Sequence, residues 1–534
     1  MFKKCLFLFA LASTVLSSCA SNVNDDENSL TIKEDFSNIT IKDDNYRNYY
    51  EIFVYSYADS NGDGIGDLKG ISDKLDYIEN LGYTGIWLTP IFESPTYHKY
   101  NASDYFTIDP QFGTMGDLET LVNEAHARNI KVILDLAINH SSKSNELFSK
   151  ACNAYGKYLR GESLTSEENK YKDFYSFKRS RDEISKGRYN QVSNGGSTFF
   201  YECNFDNNMP EFNCDSPYVL DYFKSIVEYY LNLGVDGFRL DAIKYYYLDD
   251  TNKNIEFLNK INSYVKNKNP KAYIVGECFD NAGIISRYAE SDIDSLFYFP
   301  ASQGNGFINT AFNLQGAMYT DYLSGVYELI EDSKGKIPAP FLDNHDVSRL
   351  NYSTDIVWNK FLYGLLSMLN GTTFTYYGDE IGMVGYVPPD QNVRIPMNWG
   401  EDSSYMCNVV SGATSSAYYY PDAYTQLDDP TSLINYYKKA NNIRNKHLEI
   451  ARGEVSTLVN DETNYFILLN KKYNGEDLGI AINFNQSSSY TLNFEEYGYS
   501  TCENYLTSNN EVISYLDKDK NSIEVPILGI AILR

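Results

Sequence analysis

Gly237-Phe238-Arg239-Leu240-Asp241-Ala242-Ile243-Lys244 is the stretch on which fold and chemistry both turn. An apolar approach, 231–238, runs into Arg239 and Asp241. In an extended strand, residues two apart share a face. Arg239 and Asp241 therefore project together, while Phe238 and Leu240 face the other way. A guanidinium beside a carboxylate favours the ionised form and lowers its pKa. An ionised, positioned carboxylate is what a covalent nucleophile needs. Alone, the octet is also readable as a structural ion pair, because such pairs perturb pKa values without catalysing anything.

Outward from this stretch, strand-like and helix-like segments alternate. Strands are expected at 51–57, 85–90, 131–140, 237–242, 272–277, 295–300, 338–346 and 372–378. Helices are expected at 68–81, 117–128, 217–233, 255–266, 323–332, 356–368 and 432–446. Eight strands alternating with helices point to a parallel (β/α)₈ TIM barrel over 46–140 and 206–448. The link after the third strand is too long for an ordinary loop, and 141–205 reads as an inserted domain. From 449 to 534 the helical pattern stops. Alternating or apolar runs at 454–460, 465–470, 478–484, 489–494 and 523–533 predict a C-terminal antiparallel β-sandwich domain.

Barrel enzymes place their chemistry at the C-terminal ends of the strands. Those ends read Asp135-Leu-Ala-Ile-Asn139-His140, Arg239 with Asp241, Glu277 after Tyr273-Ile-Val-Gly, and Phe341-Leu-Asp-Asn-His345-Asp346. Two of the chain's five His stand at these ends. Two carboxyls at neighbouring strand ends can act as nucleophile and proton donor in acetal cleavage. Asp241 beside Arg239 suits the nucleophile. Glu277, following apolar residues and near other acids, suits the protonated general acid. Asp346 adds negative charge where an oxocarbenium-like centre forms, and His140 and His345 can bond sugar hydroxyls. A nucleophile-elbow serine and an HExxH zinc motif are both missing, so serine or zinc hydrolysis has no support.

These segments resemble the α-amylase family, glycoside hydrolase family 13. Its motif regions match DLAINH (135–140), GFRLDAIK (237–244), VGEC (275–278) and FLDNHD (341–346), in order, with Met209-Pro-Glu-Phe-Asn213 matching a fifth. The resemblance implies Asp241 as nucleophile, Glu277 as acid/base and Asp346 as transition-state stabiliser. It also implies Arg239, His140, His345 and Lys244 at the substrate, with Tyr100 stacking on the sugar. Lys99 stands where the family's H-G-Y pattern has glycine, which leaves the shape of that loop open. Ala242 resembles α-1,4-acting members, whereas Pro396-Met397-Asn398-Trp399 resembles oligo-1,6-glucosidases. MPEFN resembles the intermediary group that includes lipid-anchored α-amylases and glucanotransferases. The expected substrate is an α-glucan or maltooligosaccharide. A 4-α-glucanotransferase, an α-1,6-acting oligosaccharidase and a non-catalytic glucan-binding protein are the rival readings.

Asp59-Ser-Asn61-Gly-Asp63-Gly-Ile65-Gly-Asp67 places oxygen donors at alternate positions around a glycine turn, which suits Ca²⁺. Gly70 stands where an EF-hand needs its bidentate Glu. The same loop in oligo-1,6-glucosidase-like relatives holds Ca²⁺ or Mg²⁺. Asp59, Asn61, Asp63, Asp67 and the Ile65 carbonyl are the expected ligands, and Asn139 resembles a ligand of the family's second calcium site.

The N-terminus carries Lys3 and Lys4, an apolar run, then Leu16-Ser17-Ser18-Cys19. This is an export signal, too short to span a bilayer comfortably. It resembles a bacterial lipoprotein box, which implies cleavage before Cys19, acylation of its thiol and a membrane-anchored protein. Residues 20–45, polar and acidic, read as a tether. The net charge of −27 excludes nucleic acid as a natural partner. The remaining cysteines show no metal-type spacing.

Overall fold

The computed structural model describes residues 30–302, 304–330, 335–350, 355–400, 404–415 and 418–534. Cys19, the leader and residues 20–29 lie outside them. Eight parallel strands form one sheet: β1 (Asn48–Ile52), β2 (Gly85–Leu88), β3 (Lys131–Leu136), β4 (Gly237–Leu240), β5 (Tyr273–Gly276), β6 (Ser295–Phe297), β7 (Ile337–Ala339) and β8 (Thr373–Tyr376). Each pairs with its successor through β7, and β1 pairs with β8. Hydrogen bonds from Thr372 N to Pro338 O (2.8 Å) and Phe374 N to Pro340 O (3.1 Å) close the cylinder. Strands buried on both faces explain the continuous apolar runs that replace alternation here. At Gly237 an added Cβ would lie 1.9 Å from Tyr273 O, so only glycine allows β4 and β5 to approach as they do.

The insertion after β3 holds helices Glu146–Leu159 and Ser166–Tyr171 and a three-stranded antiparallel sheet, Phe177–Lys178, Tyr189–Asn194 and Ser197–Glu202. It is sewn to the barrel rim by pairing of His140 with Glu211 and of Tyr175 with Phe212. The C-terminal domain is a five-stranded antiparallel sheet faced by a two-stranded one.

Several expected boundaries move, each for a physical reason. The first strand is not 51–57: it starts at Asn48, and Val54–Tyr57 is a helical turn. All-round burial had removed the periodicity that separates the two. The helix expected at 68–81 breaks at Lys74 into Leu68–Asp73 and Leu75–Asn80. There the Lys74 ammonium sits over the rings of Tyr405, Trp399 and Tyr424 at 3.9, 4.5 and 5.2 Å. The run 523–533 divides into Ser522–Val525 and Gly529–Leu533 around Pro526, which cannot donate to a ladder. Strand Cys502–Thr507 was not anticipated.

The stretch 30–45, expected as part of a tether, is anchored to the fold at several points. Thr31 bridges Ser514, Ile32 is buried in the C-terminal core, Glu34 pairs with Lys439 at 2.6 Å, and Asp44 pairs with Arg452 at 2.7 Å.

Candidate active site

The strand ends of β3, β4 and β5 converge on one guanidinium. Arg239 is fully buried. Its Nη1 lies 2.8 Å from Asp135 Oδ1 and 2.6 Å from Asp241 Oδ1, and its Nη2 lies 3.0 Å from Glu277 Oε2. Directly after Asp241, Ala242 adopts a left-handed conformation (φ 45°, ψ 49°), which costs a residue with a Cβ about 1 kcal/mol or more. The turn aims the Ala242 N–H at Glu277 Oε2 (2.9 Å), so the strain fixes the two acids relative to each other.

Asp346 stands on the turn after β7. Its Oδ1 accepts from Arg394 Nη2 at 2.8 Å, and its Oδ2 lies 3.0 Å from His345 Nε2. The other His345 nitrogen, Nδ1, contacts Glu51 Oε1 at 2.5 Å. Tyr100 stacks on His345 (5.4 Å, 13°). Its hydroxyl donates to Asp135 Oδ2 at 2.8 Å and lies 2.6 Å from His345 Nε2.

Electrostatics divides these acids. Burial pushes Asp241 up to about 6 against the pull of Arg239. Arg239 lowers this pKa as expected, but the net shift is upward, because desolvation outweighs one cation that is shared among three carboxyls. Burial pushes Glu277 up to about 7, with Asp241 and Asp346 adding to it against Arg239. For Asp346 burial acts upward too, but His345 and Arg394 overcome it and hold the carboxyl well below its ordinary range. Burial opposes charge on His345, yet Asp346 and Glu51 push it up to about 10, so both ring nitrogens carry protons. One proton-holding acid, one acid of lower pKa and one permanently ionised acid thus share a mouth. This is the environment-driven splitting that assigns acid and base roles.

A cavity of about 370 Å³ opens above them, lined by Asp241, Glu277, Asp346, Tyr100 and His140, with Phe205, Tyr245 and Phe279 toward its rim. Arg239 and His345 do not line it; they lie beneath it and act through the acids. Among the described residues His140 has no well-formed hydrogen bond on either ring nitrogen, and burial lowers it to about 4 against the weaker pull of the Tyr100 backbone. A neutral imidazole both donates and accepts, which suits sugar hydroxyls. Lys244 donates to Phe279 O (2.8 Å) and Asp280 Oδ2 (2.9 Å), pinning the loop after β5 at the cavity edge. Lys99 takes the left-handed backbone (φ 62°) that glycine supplies elsewhere. Its ammonium is held by Asp109 Oδ2 (2.8 Å) and Gln111 Oε1 (2.7 Å), so the loop bearing Tyr100 is tied in place by side-chain contacts.

The glycine-rich loop is a set of nested turns. Asp59 Oδ1 accepts from Asn61 N and Gly62 N, Asp59 Oδ2 from Gly64 N, Asn61 Oδ1 from Asp63 N, and Asp63 Oδ1 from Ile65 N. Asp67 caps the following helix and accepts from Ser60 and Gly70. Among the described residues no Lys or Arg pairs with Asp59, Asp63 or Asp67, and no three His, Cys, Asp or Glu side chains stand in metal-holding geometry. All-oxygen donors with two buried, cation-free carboxylates nonetheless match the chemistry of a hard divalent ion. At the barrel–insertion junction, Asn139 donates to Asp241 O (2.7 Å), while its own Oδ1 and Glu211 Oε2 are buried without a hydrogen-bond partner among the described residues.

Glu51, Asp135 and Arg394 were not singled out from the sequence as site residues. Asp135 lay inside the DLAINH motif; Glu51 and Arg394 carried no motif signal.

Comparison with known proteins agrees with this geometry. The family description "Alpha amylase, catalytic domain" matches residues 51–453. The chain is 34% identical over 483 residues to Alpha-amylase 3 of Dictyoglomus thermophilum, covering 88% of this chain and 91% of that one. It is 26% identical to the Oligo-1,6-glucosidase of Parageobacillus thermoglucosidasius, covering 87% and 94%. The solved structure of Eubacterium rectale Amy13B superposes with a TM-score of 0.85 at 35% identity, covering 93% of this chain and 96% of that one. With three acids on three strand ends, a barrel closed around them and this match across most of its length, the chain belongs to the α-amylase family and is a glycoside hydrolase of that family.

Proposed function

We propose that the protein is a retaining, endo-acting hydrolase of α-1,4-glucosidic bonds in starch-like glucans and maltooligosaccharides. The observation that carries this reading is the single Arg239 guanidinium in contact with both Asp241 and Glu277, with an ionised Asp346 at the same mouth. Asp241 attacks the anomeric carbon while Glu277 gives its proton to the departing oxygen. Water, losing a proton to Glu277, then displaces Asp241 and restores the starting configuration. Asp346 offsets the positive charge that builds on the sugar, and His140 and Tyr100 hold the ring. Replacing Asp241 by Asn is expected to abolish reducing-sugar release from starch; full activity in that variant would refute the assignment.

Transfer to a sugar acceptor is the second reading, favoured by the half-exposed Phe279 and Phe205 at the rim, which can shield the covalent intermediate from water. Longer products from maltoheptaose would mark transfer, and cleavage of isomaltose or panose would mark α-1,6 action. In the same reading, Asp59, Asn61, Asp63, Asp67 and the Ile65 carbonyl hold Ca²⁺ or Mg²⁺ and stiffen the loop after β1, and Asn139 with Glu211 contributes to a second calcium site. Metal analysis after chelation, with and without Asp59→Ala, tests this. Export and acylation at Cys19 are tested by lipid labelling of wild type against Cys19→Ser.

A further inference from the structure

Strand β1 carries a buried acid to which the chemistry above gives no part. Glu51 is 1% exposed and stands in register with Trp87 of β2 and Tyr376 of β8. A carboxyl so placed is costly unless a cation or hydrogen bonds compensate it. Among the described residues its ion-pair partner is His345, whose Nδ1 lies 2.5 Å from Glu51 Oε1. The ring is held on several sides. Phe53 stacks on it (6.4 Å, 27°), Trp87 meets it edge-on (5.6 Å, 75°), and Arg394 Nε donates to the His345 carbonyl at 2.9 Å. Its far nitrogen, Nε2, lies 3.0 Å from Asp346 Oδ2 and 2.6 Å from the Tyr100 hydroxyl. One imidazole thus bridges a carboxyl inside the barrel and the carboxylate at its mouth.

A neutral imidazole has a single N–H, so one of its two carboxyl neighbours would face a lone pair. Glu51 on one side and Asp346 on the other both favour a proton, and together they overcome the cost of burying the cation. The surrounding charges are mixed. Asp135 on β3 and His98 also feel the charge on the ring, and Arg239 on β4 acts on Glu51 in the same sense as the ring does. Tyr376, beside Glu51, keeps its proton because burial raises it. Resting on the double-displacement reading above, we infer that Glu51 is a positioning residue for the reaction: it holds His345 protonated on both nitrogens and so keeps Asp346 ionised and aimed at the sugar. Glu51 lies behind the ring and acts through it. Its effect is largest when positive charge builds on the sugar, so its loss falls on kcat more than on KM.

The test uses Glu51→Gln, which keeps the size of the side chain and removes its charge. On maltoheptaose, kcat is expected to fall about tenfold, with KM changed by less than about twofold. Nitrogen-15 NMR of histidine-labelled protein, with the His345 signals assigned by their loss in His345→Asn, reads the ring directly. In wild type both His345 nitrogens should stay protonated at about pH 8, whereas in Glu51→Gln one proton should be lost as pH rises toward that value. An unchanged kcat, or a lower kcat with His345 still doubly protonated at about pH 8, overturns the proposal. A neutral His345 in wild type at about pH 7 overturns it as well, whether or not the variant folds. If wild type does not cleave maltoheptaose, the functional reading has failed. The histidine signals then decide alone: loss of the second proton in Glu51→Gln supports the hold of Glu51 on the ring, and its retention overturns it.

Discussion

Glu277 shows what one buried acid costs and yields. Its carboxyl titrates at about 7 in the folded protein against an ordinary 4.5. A folded-state pKa raised in this way favours folding below the ordinary value, and the benefit is lost as pH rises through the folded one. At alkaline pH the ionised Glu277 therefore costs stability, on the order of 3 kcal/mol at about 1.4 kcal/mol per pKa unit. Glu277→Gln is expected to melt a few degrees above wild type at pH above 7 and level with it near the ordinary carboxylate pKa, as calorimetry would read, while losing activity. The same groups set the rate profile. Activity needs Asp241 ionised and Glu277 protonated, so kcat/KM should rise through about 6 and fall through about 7, with a narrow maximum between. A flat profile across that window would break the assignment of roles. Lys99 tests backbone against side chain: Lys99→Met keeps the left-handed strain but loses Asp109. It should lower stability and, by freeing the Tyr100 loop, raise KM; Lys99→Gly should do less harm on both counts.

Elements, not single residues, hold Asp346 in place. The turn after β7 is clasped by a buried charge cluster. Arg349 Nη1 meets Asp379 Oδ1 at 2.8 Å, the Arg349 backbone N–H donates to Gly385 O at 2.9 Å, and Asp343 Oδ2 accepts from Leu350 N at 2.6 Å. Arg349→Met leaves the Asp343–Asp379 pair without its cation, a loss of about 3–5 kcal/mol for a buried pair. Both carboxyls are already raised by burial and would rise further, so the loss should grow from mildly acidic to mildly alkaline pH; adding Asp379→Asn should recover part of it. Melting curves at two pH values decide this, with unchanged melting in Arg349→Met as the contrary outcome. This cluster also shows where sequence reading stops. The acids were legible because strand ends are where apolar runs stop at a charge, as in Tyr273-Ile-Val-Gly-Glu277. Their partners were not, because Glu51 and Arg394 reach His345 and Asp346 only through barrel closure, from 294 and 48 positions away. Short inter-element segments such as 54–57 were misread for the related reason that complete burial erases periodicity.

At the scale of the whole molecule, the anchored stretch 30–45 joins the C-terminal domain to the barrel. It enters on the C-terminal sheet through Thr31 and Ile32, and Glu34 accepts from Tyr505 N at 3.2 Å. It then reaches the barrel's N-terminal end, where Asp43 meets Lys271 at 2.5 Å and Lys131 at 3.4 Å beside the starts of β5 and β3. Asp43 and Lys271 are largely exposed, and such surface pairs contribute little. The energy of the strap should lie instead in Ile32, which is 5% exposed among the C-terminal core residues, and in the bonds of Glu34. Ile32→Ala is accordingly expected to cost about 2 kcal/mol, whereas Asp43→Asn should leave the melting temperature almost unmoved. Because this strap runs at the end of the barrel opposite the cavity, Ile32→Ala should leave kcat and KM unchanged at temperatures well below unfolding. A variant in which Asp43→Asn destabilises more than Ile32→Ala would mean that the strap is held by charge and not by burial.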